Sequence, residues 1–275
     1  MEHLAGKVAV ITGGGSGIGR ALAHRFAAEG MKVVLADVNE TSMRMVEAEL
    51  AERGTEVLPV LCDTSLEPSV HELAQATLER FGAAHVLCNN AGVAGTGDPW
   101  AGPMSAWEWV MGINVYGVVH GIRAFLPIMT DQGEGHIVNT ASMAGLVALP
   151  GAAAYNASKH AVVAISEGLF LELKNTGSPV GCSVLCPGFV RTNLMVGQQW
   201  QDRLGAPPPA TGNPVGKMIE DLLTQGVETG VDPDDIAAQV ADAITSDRFW
   251  ILTHPEMRDA PVARMQRAAA QENPA

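Results

Sequence analysis

Near its N-terminus the chain reads Thr12-Gly13-Gly14-Gly15-Ser16-Gly17-Ile18-Gly19, directly after a short apolar run and directly before a helical pattern. The glycines at positions 13, 17 and 19 follow the spacing G-x-x-x-G-x-G. Glycine lets a backbone approach a pyrophosphate closely, and the N-terminus of the next helix supplies unpaired N–H donors and a favourable dipole. A glycine-rich turn alone is often only a tight turn, but its position between a strand and a helix favours nucleotide binding here.

Short β-branched runs alternate with longer helical patterns along the rest of the chain. We predict strands at Lys7–Thr12, Lys32–Ala36, Glu56–Cys62, His85–Asn89, His136–Thr140, Val180–Cys186 and Phe249–Thr253. We predict helices at Ile18–Glu29, Thr41–Arg53, Glu67–Phe81, Ser105–Met129, Ala153–Lys174 and Asp234–Thr245. This alternation implies an α/β fold, with a parallel sheet covered by helices on both faces.

The domain organisation follows from the same pattern. There is no internal repeat, and no linker divides the chain before residue 190, so we predict one domain spanning residues 1–275. The segment 191–232 breaks the alternation with Pro207-Pro208-Pro209 and several glycines. A long excursion of this kind is more typical of a substrate-covering segment than of a second domain. The tail at 259–275 is predicted to be a short helix or a frayed end.

An acidic residue ends the second predicted strand. Asp37 stands 18 residues after Gly19, where a carboxylate hydrogen-bonds the adenosine ribose hydroxyls and repels a 2′-phosphate. Val38 and Asn39 follow it, and Ser16 occupies the turn position where a cation would help to bind that phosphate. We therefore predict NAD rather than NADP. The alternative is a solvated aspartate at a strand end.

Tyr155 and Lys159 are four residues apart in a predicted helix, so their side chains share one face. A free tyrosine has a pKa of about 10, and a neighbouring ammonium lowers that pKa. A tyrosine brought towards neutral pH can exchange a proton with an alcohol or carbonyl oxygen. The spacing alone also occurs by chance, as a surface tyrosine beside a solvated lysine.

Composition excludes several classes of protein. The formal net charge of −13 and the pI of about 5.0 argue against nucleic acid or an anionic membrane as partner. No signal-peptide pattern opens the chain, and no apolar stretch reaches the roughly 18 residues of a membrane span. No Cys/His set has metal-ligand spacing, so we predict no metal site. We expect a cytoplasmic protein with reduced core thiols at Cys62, Cys88, Cys182 and Cys186.

Several motifs in order resemble the short-chain dehydrogenase/reductase family over roughly residues 5–255. Thr12–Gly19 resembles its TGxxxGxG motif, Asn89-Asn90-Ala91-Gly92 its NNAG motif, and Tyr155–Lys159 its YxxxK motif. Ser142 precedes the tyrosine by 13 residues, as the family expects. The resemblance implies a Rossmann-like, doubly wound sheet of seven parallel strands in the order 3-2-1-4-5-6-7. It also implies assembly as tetramers or dimers, partly through the helix that carries Tyr155.

The resemblance also implies a catalytic set of Asn114, Ser142, Tyr155 and Lys159. Tyr155 would act as general acid in reduction and as general base in oxidation, with its pKa lowered by Lys159. Ser142 would orient the substrate oxygen, and Asn114 would support a water that relays protons to Lys159. Contacts with the cofactor are expected at Gly13, Ser16, Gly17, Ile18, Gly19, Asp37, Asp63, Thr64, Asn90, Ala91, Gly92, Tyr155, Lys159, Pro187, Gly188, Val190 and Thr192.

A substrate pocket is predicted around the catalytic oxygen and beneath the excursion, lined by Ser142, Ala144, Leu149, Tyr155, Gly188, Leu194, Met195 and Trp200. For Trp100, Trp107 and Trp109 a core or subunit-contact role is favoured over a substrate role. The function predicted is an NAD-dependent oxidoreductase that interconverts a secondary alcohol and its ketone, on a hydrophobic substrate. Two alternatives remain open: an NADPH-dependent 3-oxoacyl reductase, and a non-catalytic dinucleotide-binding regulator.

Overall fold

A computed structural model describes residues 1, 3–94, 100–192, 194, 221 and 224–274. Its strands are β1 (Val8–Thr12), β2 (Lys32–Asp37), β3 (Val57–Leu61), β4 (Val86–Asn89), β5 (Gly135–Thr140), β6 (Val180–Cys186) and β7 (Trp250–Leu252). They form one parallel sheet in the order β3-β2-β1-β4-β5-β6-β7. The predicted strands and the strand order implied by the family resemblance are therefore confirmed.

The helices with bounds are α1 (Gly17–Ala28), α2 (Glu40–Ala51), α3 (Glu67–Phe81), α4 (Met104–Met111), α5 (Gly117–Asp131), α6 (Ala153–Thr176), α7 (Pro233–Thr245) and α8 (Asp259–Ala270). The single helix predicted at Ser105–Met129 is instead α4 and α5 joined by one π-helical segment, Gly112–Tyr116. The tail contains α8, one of the two outcomes expected for it. Most of the predicted excursion, with Met195 and Trp200, lies outside the described residues.

The core lies in two layers because strand side chains alternate between the two faces of the sheet. Ala9, Ile11, Val33 and Leu35 pack with apolar residues of α1, α2 and α7 on one face. The intervening residues of β1 and β2, among them Val10, pack with α3, α5 and α6 on the other. Because all seven strands are parallel, their carboxyl ends lie at one edge of this sheet. The predicted site residues follow those ends.

Candidate active site

A cavity of about 710 Å³ runs along the carboxyl ends of the strands. The strand order of the sheet reverses between β1 and β4, and open α/β sheets bind ligands at such a point. Of the predicted site residues, the cavity is lined by Gly13, Ser16, Gly17, Ile18, Asp37, Asp63, Thr64, Asn90, Ala91, Gly92, Ser142, Ala144, Leu149, Tyr155, Lys159, Pro187, Gly188, Val190, Thr192 and Leu194. Two predicted residues, Gly19 and Asn114, are not in the lining that the described residues form.

The glycine turn has the shape of a cradle for a phosphate. Gly13 and Gly17 have φ of 66° and 51°, in the left-handed region that residues other than glycine rarely adopt. A Cβ at Gly19 would collide with the carbonyl oxygen of Gly13. Ser16 precedes α1, and its side chain makes no capping bond within the described part of the chain. The first N–H groups of α1 therefore suit an anionic group, so the turn fits a dinucleotide.

Thr12 ties this turn to the loop after β4. Its hydroxyl accepts from the backbone N–H groups of Asn90 and Ala91, at 2.9 and 3.0 Å, and donates to the carbonyl of Cys88 at 3.3 Å. The side-chain amide of Asn90 in turn donates to the Thr12 carbonyl at 3.0 Å. Thr12 was quoted in the sequence motif but was not predicted as a site residue, because its partners come from another strand.

Asp37 is fixed by backbone donors at the end of β2. One carboxylate oxygen accepts from the N–H of Gly15 and the other from the N–H of Asn39, both at 2.9 Å. Burial raises the pKa of Asp37, and these backbone bonds oppose that rise. Asp63, after β3, accepts from both the N–H and the hydroxyl of Ser65, at 2.9 and 2.7 Å. Both carboxylates lie along the cavity.

A cation that the local sequence around Asp37 did not reveal also lines this end of the cavity. Arg20 reaches it from α1, and its guanidinium donates to both carboxylate oxygens of Glu49 on α2, at 3.0 Å each. His24 contacts the same carboxylate at 2.8 Å. Arg20 is thus paired within the protein. The arginine stands directly after the glycine motif, but only the packing of α1 beside α2 reveals its partner.

Tyr155 and Lys159 lie on one face of α6, and both line the cavity. The Lys159 nitrogen donates to the Thr140 carbonyl at 2.9 Å and lies 5.7 Å from the centroid of the Tyr155 ring. Burial lowers the pKa of Lys159 to about 8. Burial also raises the pKa of Tyr155, and a hydrogen bond with Ser142 acts against it. The expected lowering of the tyrosine pKa is not found in this structure, because desolvation of the phenolate outweighs the other influences.

Ser142 begins a short 3₁₀ turn, Met143–Gly145, that follows β5. Its hydroxyl accepts from the N–H of Ala144 at 3.1 Å and donates weakly to the Pro187 carbonyl at 3.4 Å. The N–H of Met143 donates to that same carbonyl at 2.9 Å. The turn that carries Ser142 is thereby fixed to the segment after β6.

Asn114 lies in the π-helical segment and is 1% exposed. Its amide nitrogen donates to the Val93 carbonyl and to the Ser158 hydroxyl, each at 3.0 Å, and its oxygen accepts from the Val93 N–H at 2.9 Å. Both amide protons are thus used within the protein. The side chain joins the loop after β4 to α6, one residue from Lys159. The predicted water relay stays a prediction.

The segment after β6 contributes to the lining of the cavity. Pro187, Gly188, Val190 and Thr192 line it, as does Phe189, which was not predicted. Val190 pairs with Val231 in an isolated parallel bridge. The side chain of Thr192 lies so close to the turn that a Cβ at Gly17 would meet it at 3.1 Å.

Many of the residues that line the cavity are apolar. Ala144, Leu149 and Leu194 line it as predicted, together with residues that were not predicted: Val93, Trp109, Ile113, Met143, Ala152, Val227 and Met257. Trp109, for which a core or subunit-contact role was favoured, lines the cavity, and its buried indole N–H has no hydrogen-bond partner among the described residues. Its role stays a prediction.

Among the helices of the described residues, none is long and apolar enough to cross a membrane. No group of three or more His, Cys, Asp or Glu side chains in that part of the chain is arranged to hold a metal ion.

Comparison with known proteins agrees with this geometry. A family model described as short chain dehydrogenase matches residues 7–203. The crystal structure of a short chain dehydrogenase/reductase from Burkholderia phymatum in complex with NAD is 44% identical and superposes with a TM-score of 0.95, covering 100% of this chain and 98% of the other. The 1-deoxy-11-beta-hydroxypentalenate dehydrogenase of Streptomyces exfoliatus is 38% identical over 259 residues, 93% of this chain and 86% of the relative. The CLA biosynthesis dehydrogenase/reductase of Lactiplantibacillus plantarum is 34% identical over 270 residues, 97% and 94% of the two chains.

Proposed function

This chain belongs to the short chain dehydrogenase family, and we propose that it is an NAD-dependent dehydrogenase that interconverts a hydrophobic secondary alcohol and its ketone. The observation that carries this proposal is one cavity lined by Ser142, Tyr155 and Lys159 together with the glycine turn and Asp37. The turn suits the phosphates of a dinucleotide, and the three side chains supply the polar groups that act on an alcohol oxygen.

The proposed chemistry assigns a task to each of these side chains. A bound nicotinamide supplies the hydride acceptor or donor. Ser142 orients the substrate oxygen, and Tyr155 removes the proton from that oxygen in oxidation and returns it in reduction. The charge of Lys159 favours the phenolate form of Tyr155, against the burial that raises the pKa of the phenol. Asn114 holds the loop after β4 against α6 through Val93 and Ser158.

The choice of NAD over NADP rests on the adenosine end of the cavity. The carboxylate of Asp37 would attract ribose hydroxyls and repel a 2′-phosphate. Arg20, the cation that lines this end, is already paired with Glu49. The Burkholderia phymatum relative was crystallised with NAD. The presence of Arg20 is the one observation that favours the second candidate, an NADPH-dependent reductase, since release from Glu49 would make its guanidinium available to a phosphate.

A hydrophobic substrate is proposed from the apolar side chains that line the same cavity as Ser142 and Tyr155. Leu149, Ile113 and Met257 are among them, and apolar surfaces of this kind bind apolar ligand groups. The Streptomyces relative is named as a dehydrogenase of a hydroxylated compound, which agrees with an alcohol as substrate.

We further propose that the chain forms a homo-oligomer through α6 and acts in the cytoplasm. The face of α6 that points away from the sheet exposes Ala157, Ala164, Gly168 and Leu171, and Leu171 is 56% exposed. Small and apolar residues on one helix face suit close packing against a second copy. The four cysteines are free and buried, which agrees with a reducing compartment.

The experiment that tests the proposed function combines cofactor titration with a substrate screen. NADH and NADPH are titrated separately against the protein by fluorescence, and secondary alcohols of increasing apolar size are screened with NAD for NADH formation. NADH should saturate the protein at lower concentration than NADPH, and larger apolar alcohols should be oxidised better than short ones. Preference for NADPH would overturn the cofactor assignment, and absence of any nicotinamide binding would overturn the proposed function.

A further inference from the structure

His254 follows β7 and is buried, with 5% of its surface exposed. Both of its ring nitrogens contact the backbone of the segment after β6: Nδ1 accepts from the Gly188 N–H at 3.0 Å, and Nε2 lies 3.0 Å from the Phe189 carbonyl oxygen. A backbone N–H can only donate, so these bonds assign the ring proton to Nε2, which donates to Phe189. The Thr253 hydroxyl lies 2.8 Å from the same Nδ1 atom and can donate to it.

The imidazole ring also packs directly on the backbone of Gly188. A Cβ at this glycine would lie 2.8 Å from Cγ of His254 and 2.6 Å from the sulfur of Met257. Glycine has the greatest backbone freedom of any residue, so an external bond at Gly188 restricts the segment more than it would at another residue. His254 therefore fixes the peptide groups on both sides of the Gly188–Phe189 bond.

Gly188 and Phe189 both line the cavity, whereas His254 is absent from the lining formed by the described residues. Within the described residues, the imidazole reaches the cavity lining through its bonds to Gly188 and Phe189. These residues lie between Pro187, which accepts from the turn of Ser142, and Val190, which pairs with Val231. They directly follow Pro187, whose carbonyl accepts from the N–H of Met143 and from the hydroxyl of Ser142.

We infer that His254 is a positioning residue for the nicotinamide end of the dinucleotide, acting through the backbone of Gly188 and Phe189. This inference rests on the proposed function. Loss of the imidazole leaves the Gly188 N–H without its acceptor and the Phe189 carbonyl with the Val231 N–H, at 3.0 Å, as its remaining donor, or it lets the segment rotate so that the Gly188 N–H finds a new acceptor. Either result disturbs the nicotinamide end of the cavity and leaves the adenosine end, at Asp37, unchanged.

The test compares two ligands that share the adenosine end. NADH and ADP-ribose, which lacks the nicotinamide, are titrated against the wild-type protein and three variants. His254→Phe removes both bonds, His254→Asn keeps an acceptor near the Nδ1 position, and His254→Gln keeps a donor near the Nε2 position. We expect His254→Phe to weaken NADH binding by about tenfold with ADP-ribose binding unchanged, and we expect the Asn and Gln variants to fall between it and the wild type.

A matched control is His136, a second buried histidine, which lies on β5 and whose Nε2 is 2.7 Å from the Ser183 hydroxyl. His136→Phe should lower thermal stability without changing the ratio of NADH to ADP-ribose affinity. Equal weakening of both ligands by the His254 variants, or unchanged NADH binding, would contradict the inference. Should His254→Phe fail to fold, the Asn and Gln variants decide by the same ratio. A wild-type protein that binds neither ligand overturns the proposed function and, with it, this inference. That result differs from the two above, in which the wild-type protein binds NADH.

Discussion

The side-chain nitrogen of Lys159 lies 2.9 Å from the carbonyl oxygen of Thr140, at the carboxyl end of β5. This bond holds the ammonium 5.7 Å from the centroid of the Tyr155 ring, inside the cavity and with 4% of the lysine exposed. Burial lowers the pKa of Lys159 to about 8 and raises that of Tyr155. Both shifts favour the uncharged forms, so the charge state of this pair should govern the pH dependence of the reaction.

Alcohol oxidation should rise with pH up to about the pKa of Lys159. Oxidation needs the phenolate of Tyr155 as base, and its fraction grows about tenfold per pH unit below the pKa. Above about pH 8, where Lys159 loses its charge, the rise should flatten because the phenolate loses its stabilising partner. Ketone reduction uses the protonated phenol, which predominates throughout, and should change much less. Steady-state kcat/KM in both directions measures this; oxidation independent of pH would contradict it.

Asp37→Ser should weaken NADH binding and reduce the difference between the affinities for NADH and NADPH. The variant removes the carboxylate that would repel a 2′-phosphate. Adding Glu49→Gln should strengthen NADPH binding further, because the charge that pairs Arg20 is then removed. The control is Glu47→Gln, on the same helix, whose carboxylate pairs with Arg44 instead. Fluorescence titration with both cofactors gives the ratio of NADH affinity to NADPH affinity. If Asp37→Ser leaves this ratio unchanged, Asp37 does not set the preference for NAD.

Thr12→Val should destabilise the protein by about 1–3 kcal/mol and weaken NADH binding. The variant keeps the shape of the side chain but leaves the N–H groups of Asn90 and Ala91 without their acceptor. Thr77→Val is the matched control: Thr77 is equally buried, but its hydroxyl bonds only to Leu73 of its own helix. That change should cost about 1 kcal/mol or less and leave NADH affinity intact. Denaturant unfolding measures the stability of both variants, and fluorescence titration measures their NADH affinity. Equal losses of stability in the two variants would contradict the proposed role of Thr12.

The sequence was sufficient for features that depend on short segments. The apolar runs predicted all seven strands to within one residue at each end, because buried parallel strands need continuous apolar sequence. The spacing of glycines 13, 17 and 19 predicted the turn, and the four-residue spacing of Tyr155 and Lys159 predicted their shared face. The strand order required the family resemblance.

Features set by packing between distant segments could not be predicted. The π-helical segment at Gly112–Tyr116 interrupts a pattern that reads as one helix. The pairing of Arg20 with Glu49 needs two helices side by side, and the contacts of His254 need β7 beside β6. The raised pKa of Tyr155 depends on burial, which a four-residue motif does not reveal.

Leu171→Glu should dissociate the proposed oligomer. Leu171 is exposed on α6, and a charge there would have to be buried unpaired in an interface with a second copy. Leu61→Glu is a control for added charge and should not change the mass of the oligomer. Leu61 lies at the end of the edge strand β3 and is 62% exposed. Light scattering coupled to gel filtration measures the result. A wild-type monomer, or an oligomer unaffected by Leu171→Glu, would exclude this face as the interface.

The central claim is that the hydroxyl of Tyr155 moves the proton at the substrate oxygen, and Tyr155→Phe tests it most directly. The variant keeps the aromatic ring at this position of α6 and removes only the hydroxyl. With an alcohol identified in the screen, kcat for NADH formation should fall by about 10²- to 10⁴-fold, while the affinity for NADH stays within about twofold of wild type. If Tyr155→Phe instead keeps turnover close to the wild-type rate on that alcohol, another group performs the proton transfer and the account is wrong.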